Sequence, residues 1–271
     1  AGEQVVAGHR EKFYRARARA YLIQELLLPA ASGHLLAVIS GSHDLALELL
    51  AEQSSPSLDV LILPVGSLDG LVALRQGLCQ LAGCHLYDSL SKEYNLPYLR
   101  HFFPDQPTML VALAYRQQGL ILAAGNPHHV RGLEDLARTE LTFINRNRGS
   151  GTRLWLDEQL QRLVIPAPLV RGYEVEAATH TVVAQAVYQG HADLGLGIQA
   201  SAQAFGLDFI PLFQERFDLA LRQEMLQDPA IIRLFEHLHS GSFRRQMERL
   251  PGYELSCTGQ EWQVGGTMSS P

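Results

Sequence analysis

The sequence predicts a parallel, doubly wound α/β architecture, on three observations. Short apolar runs alternate with helical patterns along the chain, the second such run is almost wholly apolar, and the order strand, Gly-Ser, helix occurs twice in the first half. A strand covered by helices on both faces has no solvent side to alternate with, which accounts for a continuous apolar run.

"HLLAVIS" (34–40) reads as the first strand, followed by a turn and a helix over 41–52. "LDVLILPV" (58–65) is the second strand. Residues 66–83 then place Leu71, Leu74, Leu78 and Leu81 at helical spacing. The polar, aromatic and proline-punctuated stretch 87–107 reads as a connecting excursion. Residues 108–127 read as two strands joined near Arg116–Gly119 and ended by a Gly-Asn-Pro turn. A short helix suits 133–137, and "LTFIN" (141–145) is a strand that runs into "RNRGSGTR" and a helix carrying Leu156, Leu160 and Leu163. Residues 182–190 read as a helix stopped by Gly190, and 192–198 as a strand. Two strand pieces flank Pro211 within 207–222, and 228–250 reads as helical.

A chain of 271 residues suits two ordinary domains or one large one. The net charge of -6 argues against a broad nucleic-acid-binding surface, but not against one small anion pocket, which needs only local positive charge. No run approaches the roughly 18 apolar residues of a membrane span, so membrane insertion is not expected. Arg and Lys precede an apolar patch near the N-terminus, but Tyr21, Gln24 and Glu25 interrupt it, so no secretory signal is read. A cytoplasmic location is therefore expected, with a periplasmic one as the alternative if a signal has been removed. Three cysteines, Cys79, Cys84 and Cys257, cannot all pair and read as ordinary thiols.

The chemistry concentrates where strands give way to helices. A helix start leaves about four amides unpaired and carries roughly half a positive charge. "RGSGTR" adds small residues for access (Gly149, Gly151), hydroxyl donors (Ser150, Thr152) and three guanidiniums (Arg146, Arg148, Arg153). It lacks the spacing and lysine of a P-loop. "SGSHD" offers Ser40, Ser42 and His43, with Asp44 as a cap, and "VGSLDG" offers Ser67. Each alone reads as a capping turn. Together, at the carboxyl ends of strands in an open α/β sheet, they form a cage of neutral donors with one or two arginines, which suits a tetrahedral oxyanion. Tyr173 and His180 are candidates to reach that cage. Ser42, His43 and Asp44 are not read as a triad, because adjacent residues on one turn point apart.

"AVISGSHDLALELLAE", "AGCHLYDSLSKEYNLPYLRHFFP", "LVALAYRQQGLILAAGNP", "FINRNRGSGTR" and "GHADLGLGIQASAQAFGLDFIPLFQERFDLAL" together resemble the periplasmic-binding-protein-like domain related to molybdate and tungstate binders. That family is often attached to helix-turn-helix regulators or molybdopterin biosynthesis proteins. The resemblance implies a type II fold of two doubly wound lobes with a ligand cleft between them. Lobe one would be 33–113 plus 210–258 and lobe two 117–207, with an N-terminal helical extension over 1–32 and a flexible tail over 259–271. It implies that Ser40, Ser42 and Ser67 belong to the first lobe's oxyanion loops, and Ser150, Gly151 and Thr152 to the second's, with an upstream arginine. Asn145 and Arg153 depart from the family loop, so the choice among Arg146, Arg148 and Arg153 stays open.

The expected function is reversible capture of molybdate or tungstate, with no further cofactor or metal and no covalent chemistry. The module would serve as a sensor or carrier, with an attached or partner DNA-binding regulator or transporter and no direct nucleic-acid binding. Two alternatives stand beside it. One is an organic ligand such as a pterin derivative, stacked on Tyr173, Tyr94 or Tyr115. The other is a small-molecule transferase on the same lobes.

Overall fold

The computed structural model describes residues 35–265 throughout and the backbone of 2–6 and 9–13. The chain divides into two units, Ala1–Gly33 and His34–Pro271. In the first, β1 (Gly2–Val6) pairs antiparallel with β2 (His9–Phe13), Gly2 opposite Phe13. The helical reading of 1–32 is corrected at those positions, and the rest of that segment lies outside the described residues.

The second unit is built on one mixed sheet. β3 (Leu35–Gly41) is flanked in parallel by β4 (Leu58–Pro64) and β5 (Leu81–Cys84). At the other end β9 (Phe143–Arg146) is flanked in parallel by β10 (Glu176–Ala177) and β11 (Leu194–Ile198). Two strands of 15 residues, β8 (Thr108–Leu122) and β12 (Asp208–Arg222), lie between them and pair antiparallel along their whole length. The order is therefore β10-β9-β11-β8-β12-β5-β3-β4, with the two long strands shared by both halves. A β6–β7 ribbon (Tyr87–Asp88 and Glu93–Tyr94) and α3 (Leu96–Phe102) occupy the excursion after β5.

The helices cover both faces of each half. α1 (Leu45–Ser54) packs Ala46, Leu47 and Leu50 onto the β3 side with α7 (Pro229–Leu238) and α8 (Gly241–Met247). α2 (Ser67–Arg75) packs Leu71 and Leu74 on the opposite face. In the second half α4 (Gly151–Arg162) buries Leu156 and Leu160, and α5 (His180–Tyr188) buries Val183 and Val187 on the other side. Each fully buried Leu or Val contributes about 1.5–3 kcal/mol, so these layers hold the halves without help from disulfides. Cys79, Cys84 and Cys257 are all free and buried.

Four sequence readings are corrected. The helix read to 83 stops at Arg75, because Gly77 turns left-handed (φ +74°), and Leu81–Cys84 becomes β5. The two strands read within 108–127 are one. Gly119 makes no turn: a Cβ there would lie 2.1 Å from the Ile210 carbonyl oxygen, so the residue permits close approach of β12. The two pieces about Pro211 are also one strand, with a register shift between Pro211 and Phe213 where proline has no amide to donate. Lastly, the tail read as flexible forms β14 (Glu261–Val264), paired with β8 from Val111 to Thr108, while 266–271 lie outside the described residues.

Candidate functional site

Three serine-bearing turns meet where the halves face each other. β3 ends at Gly41, and Asp44 caps α1, its Oδ1 accepting the Ala46 amide at 2.8 Å. The next turn is drawn alongside, with the Gly66 amide donating to the Gly41 carbonyl at 2.9 Å. The Ser42 and Ser67 hydroxyl oxygens are then 2.8 Å apart. Ser150 caps α4 by accepting the Arg153 amide at 3.2 Å, which leaves the Gly151 and Thr152 amides without a protein acceptor among the described residues. Two bonds hold the third turn against the second: Leu68 N–H donates to the Gly149 carbonyl at 3.1 Å, and Asn147 Nδ2 donates to the Val65 carbonyl at 3.1 Å.

Behind these turns lies a buried polar cluster with an uneven distribution of charge. Arg116 holds both carboxylates: its guanidinium donates to Asp44 Oδ2 at 2.5 Å and pairs closely with Glu215. Burial alone would raise the Glu215 carboxyl, but Arg116 and His85 outweigh it and hold it at about 2. Tyr253 donates its hydroxyl to Asp44 at 2.6 Å. Gln118 Nε2 reaches both Thr152 Oγ1 (3.1 Å) and Glu215 Oε1 (2.7 Å).

Arg146 has no such partner. It is wholly buried and, among the described residues, donates only to neutral groups: the Ala177 carbonyl (3.1 Å), the Ala178 carbonyl (2.9 Å), His180 Nδ1 (2.9 Å) and, more distantly, Asn147 Oδ1 (3.5 Å). Among the described residues no carboxylate pairs with it. Burial, and then the charge of Arg116, push its guanidinium down to about 9, so it is still charged at neutral pH. An arginine can only donate, so His180 accepts at Nδ1 and carries its hydrogen on Nε2. That Nε2 is buried and has no hydrogen-bond partner among the described residues. Burial and the Arg146 charge keep the His180 ring well below its ordinary value, hence neutral.

His85 completes the cluster. Its Nε2 lies 3.0 Å from Ser42 Oγ, and its Nδ1 lies 2.7 Å from Glu215 Oε2, bent off the ring's N–H direction. The ring stacks on Phe217, with centroids 5.9 Å apart. Gly151 presses against it: a Cβ there would sit 2.4 Å from the His85 carbonyl oxygen and 2.6 Å from Nδ1.

Of the residues the sequence put forward, Ser42, Ser67, Ser150, Gly151 and Thr152 are brought together, with Arg146 near enough to act on His85 through its charge and Ser40 buried near the end of β3. Four are not. His43 turns to Glu48 at 2.7 Å. Arg148 is largely exposed and pairs with Glu174 and Glu176. Arg153 is spent on the Arg146 carbonyl, Asp157 and Glu176, and stacks 4.0 Å from the Tyr173 ring centroid. Tyr173 itself donates to Asp157 at 2.6 Å. Acidic neighbours thus claim Arg148 and Arg153, and leave Arg146 as the arginine of this loop with no carboxylate partner among the described residues. Sequence reasoning missed Arg116, Gln118, Glu215 and His85. For the first three the available signal was polar side chains inside the long apolar strands β8 and β12, whereas His85 directly follows β5, a strand that the sequence reading missed.

A two-half α/β sheet with paired crossing strands and a buried polar interface is matched at the family level: the PBP superfamily domain aligns with residues 47–239. The chain belongs to the PBP superfamily. The uncharacterized protein YvgK of Bacillus subtilis (strain 168) is 36% identical over 195 residues, which cover 72% of this chain and 63% of that protein. The chain therefore spans less than two thirds of that relative's length. A putative phosphate ABC transporter substrate-binding protein with bound phosphate, from Clostridium perfringens, superposes with TM-score 0.58 at 14% identity, covering 80% of this chain and 98% of that one. The tungstate ABC transporter structure from Geobacter sulfurreducens gives TM-score 0.53 at 14% identity, covering 78% and 96%. At those identities the likeness concerns the fold, and this PBP-superfamily chain has the two-lobed type II arrangement. Among the described residues no helix is long and apolar enough to cross a membrane.

Proposed function

We propose that this protein reversibly captures a tetrahedral oxyanion, molybdate or tungstate, between its two lobes. The observation that carries the reading is the isolation of Arg146 among the described residues: a buried guanidinium with no carboxylate of its own, flanked by a His180 Nε2 that has no partner there. A buried charge without a counter-charge is costly, and a bound anion removes that cost. The open amides of Gly151 and Thr152, at the positive end of α4, supply further donors. Neutral donors around a buried cation that has no carboxylate partner among the described residues suit a small oxyanion that has no hydrogen of its own at neutral pH.

The capture serves a sensor or carrier. Closure of the lobes turns ligand contacts into a change of shape, which an attached or partner DNA-binding regulator, or a transporter, would read. In this reading the module works in the cytoplasm, or in the periplasm if a signal has been removed, and carries out no covalent chemistry. The organic-ligand alternative has less support, because Tyr173 is engaged by Arg153 and Asp157, and Tyr94 packs on Tyr87 while donating to the Gln214 carbonyl.

Calorimetric titration with molybdate, tungstate, sulfate and phosphate tests the proposal. Stoichiometric binding of molybdate or tungstate, lost in Ser42→Ala and Arg146→Ala, is expected. Absence of heat with all four anions would remove it.

A further inference from the structure

The hydrogens around Ser42 are already committed. Beside the ionised Glu215 carboxylate, His85 Nδ1 must carry the ring hydrogen, since a bare lone pair 2.7 Å from a carboxylate oxygen would be repelled. A neutral His85 then presents a lone pair at Nε2, and Ser42, 3.0 Å away, donates its one hydroxyl hydrogen to it. Ser67 lies on the other side of Ser42 at 2.8 Å, and itself receives the His85 amide at 3.3 Å. Ser42 therefore offers an incoming anion only lone pairs. A hydroxyl in that state repels the oxyanion its position would otherwise hold.

One proton reverses this. With hydrogens on both ring nitrogens, His85 donates to Glu215 and to Ser42, and the Ser42 hydrogen is released to point at the ligand. We infer that His85 is a further binding residue of this site, and that the anion is captured together with one proton, which comes to rest on the His85 imidazole. This rests on the oxyanion reading above and deepens it.

The surroundings agree in sign. The charged groups facing His85 are Glu215 from β12, Arg116 from β8 and Arg146 from β9, with the neutral His180 of α5 beyond, while α4 and β12 present the uncharged Gly151 and Phe217. Asp44 and Tyr253 act at one remove, through Arg116. Burial lowers the His85 ring first, Glu215 opposes it, and the two arginines add to the lowering, so the ring is neutral before ligand arrives. The four ionised side chains then sum to zero: Arg116 and Arg146 against Asp44 and Glu215. A dianion tips that balance negative, which draws a proton to the one nearby base placed between the ligand's serine and a carboxylate.

The test uses tungstate and sulfate, neither of which carries a hydrogen near neutral pH. Titrations at one pH in buffers of different ionisation heat give the number of protons taken up. About one per anion is expected, with affinity falling roughly tenfold per pH unit on the alkaline side. His85→Gln keeps a donor and removes the titration, so it should bind with affinity independent of pH and no proton uptake. If that variant fails to fold, ¹⁵N spectra of the wild-type histidine rings decide instead, with His85 moving from the Nδ1–H tautomer to the doubly protonated ring on adding tungstate. Wild-type binding with no proton uptake and a flat pH profile overturns the inference and leaves the oxyanion reading standing. No binding by either anion, or by molybdate or phosphate, removes both.

Discussion

Arg146 fixes the tautomer of His180. Its Nη1 donates to Nδ1 at 2.9 Å, so the ring hydrogen sits on Nε2, where it has no acceptor among the described residues. A buried cation without a counter-charge and a buried N–H without an acceptor thus stand side by side among the described residues, an arrangement that stores a cost in the protein without ligand.

Arg146→Met removes the free cation and the support of that tautomer together. Anion binding should weaken by about 2–5 kcal/mol, thirtyfold or more, as for truncation of a hydrogen-bonded charge. The protein should still fold, since methionine fills similar volume and removes a buried charge, although the Ala177 and Ala178 carbonyls lose a donor. Calorimetry reads the affinity, and the rise in melting temperature produced by tungstate should vanish. A variant that binds tungstate as the wild type does would show that Arg146 does not face the ligand.

Glu215 governs the acid limb of stability. Its carboxyl is held at about 2 in the folded protein against an ordinary value of 4.5. A depressed carboxyl stabilises the fold fully above pH 4.5, and that contribution is lost as pH falls toward 2. Its size is about 3 kcal/mol. Urea unfolding at pH 5, 4, 3 and 2.5 should show this decline in the wild type. Glu215→Gln should be weaker at neutral pH, because Arg116 loses a partner, and markedly flatter over the acid range. Equal slopes in the two proteins would refute the pairing as the cause.

Arg148 provides the control. It sits in the same loop as Arg146, two residues on, but its side chain is 74% exposed and paired with exposed or half-exposed glutamates. Exposed pairs contribute at most about 1 kcal/mol. Arg148→Ala should leave tungstate affinity within twofold and the melting temperature nearly unchanged. A large loss of affinity would return Arg148 to the site.

How much of this was legible in the sequence depends on whether a residue's partner was near in the chain. Asp44 as the cap of α1 follows from local chemistry, and it holds in the structure. The convergence of Ser42, Ser67 and Ser150–Thr152 followed from the parallel-sheet rule. Strand β5 was hidden because Leu78 and Leu81 fit a helical spacing that Gly77 had already ended. Arg116 and Glu215 were hidden for a different reason. They belong to antiparallel strands 99 residues apart, and only the β8–β12 register places them opposite each other. Among three arginines in one loop, the choice of Arg146 depended on Glu174, Glu176 and Asp157 claiming the others, which no spacing rule reveals.

Gly151 tests closure directly. At the first position of α4, alanine is at least as good a helix former as glycine, so the lobe that carries it should be undisturbed. Its methyl, however, would stand 2.4 Å from the His85 backbone carbonyl oxygen and 2.6–2.8 Å from two ring atoms. A backbone oxygen cannot swing aside as a flexible side chain can. The lobes must therefore part slightly, which strains the Leu68–Gly149 and Asn147–Val65 bonds that join them. Gly151→Ala should keep the wild-type far-ultraviolet spectrum and anion-free melting temperature to within a few degrees. It should lose at least tenfold in tungstate affinity, the scale of about 1–3 kcal/mol expected for overpacking. Small-angle scattering should show contraction on adding tungstate in the wild type and little in the variant. Equal affinity and equal contraction would mean that the contact between Gly151 and His85 does not limit how far the halves come together.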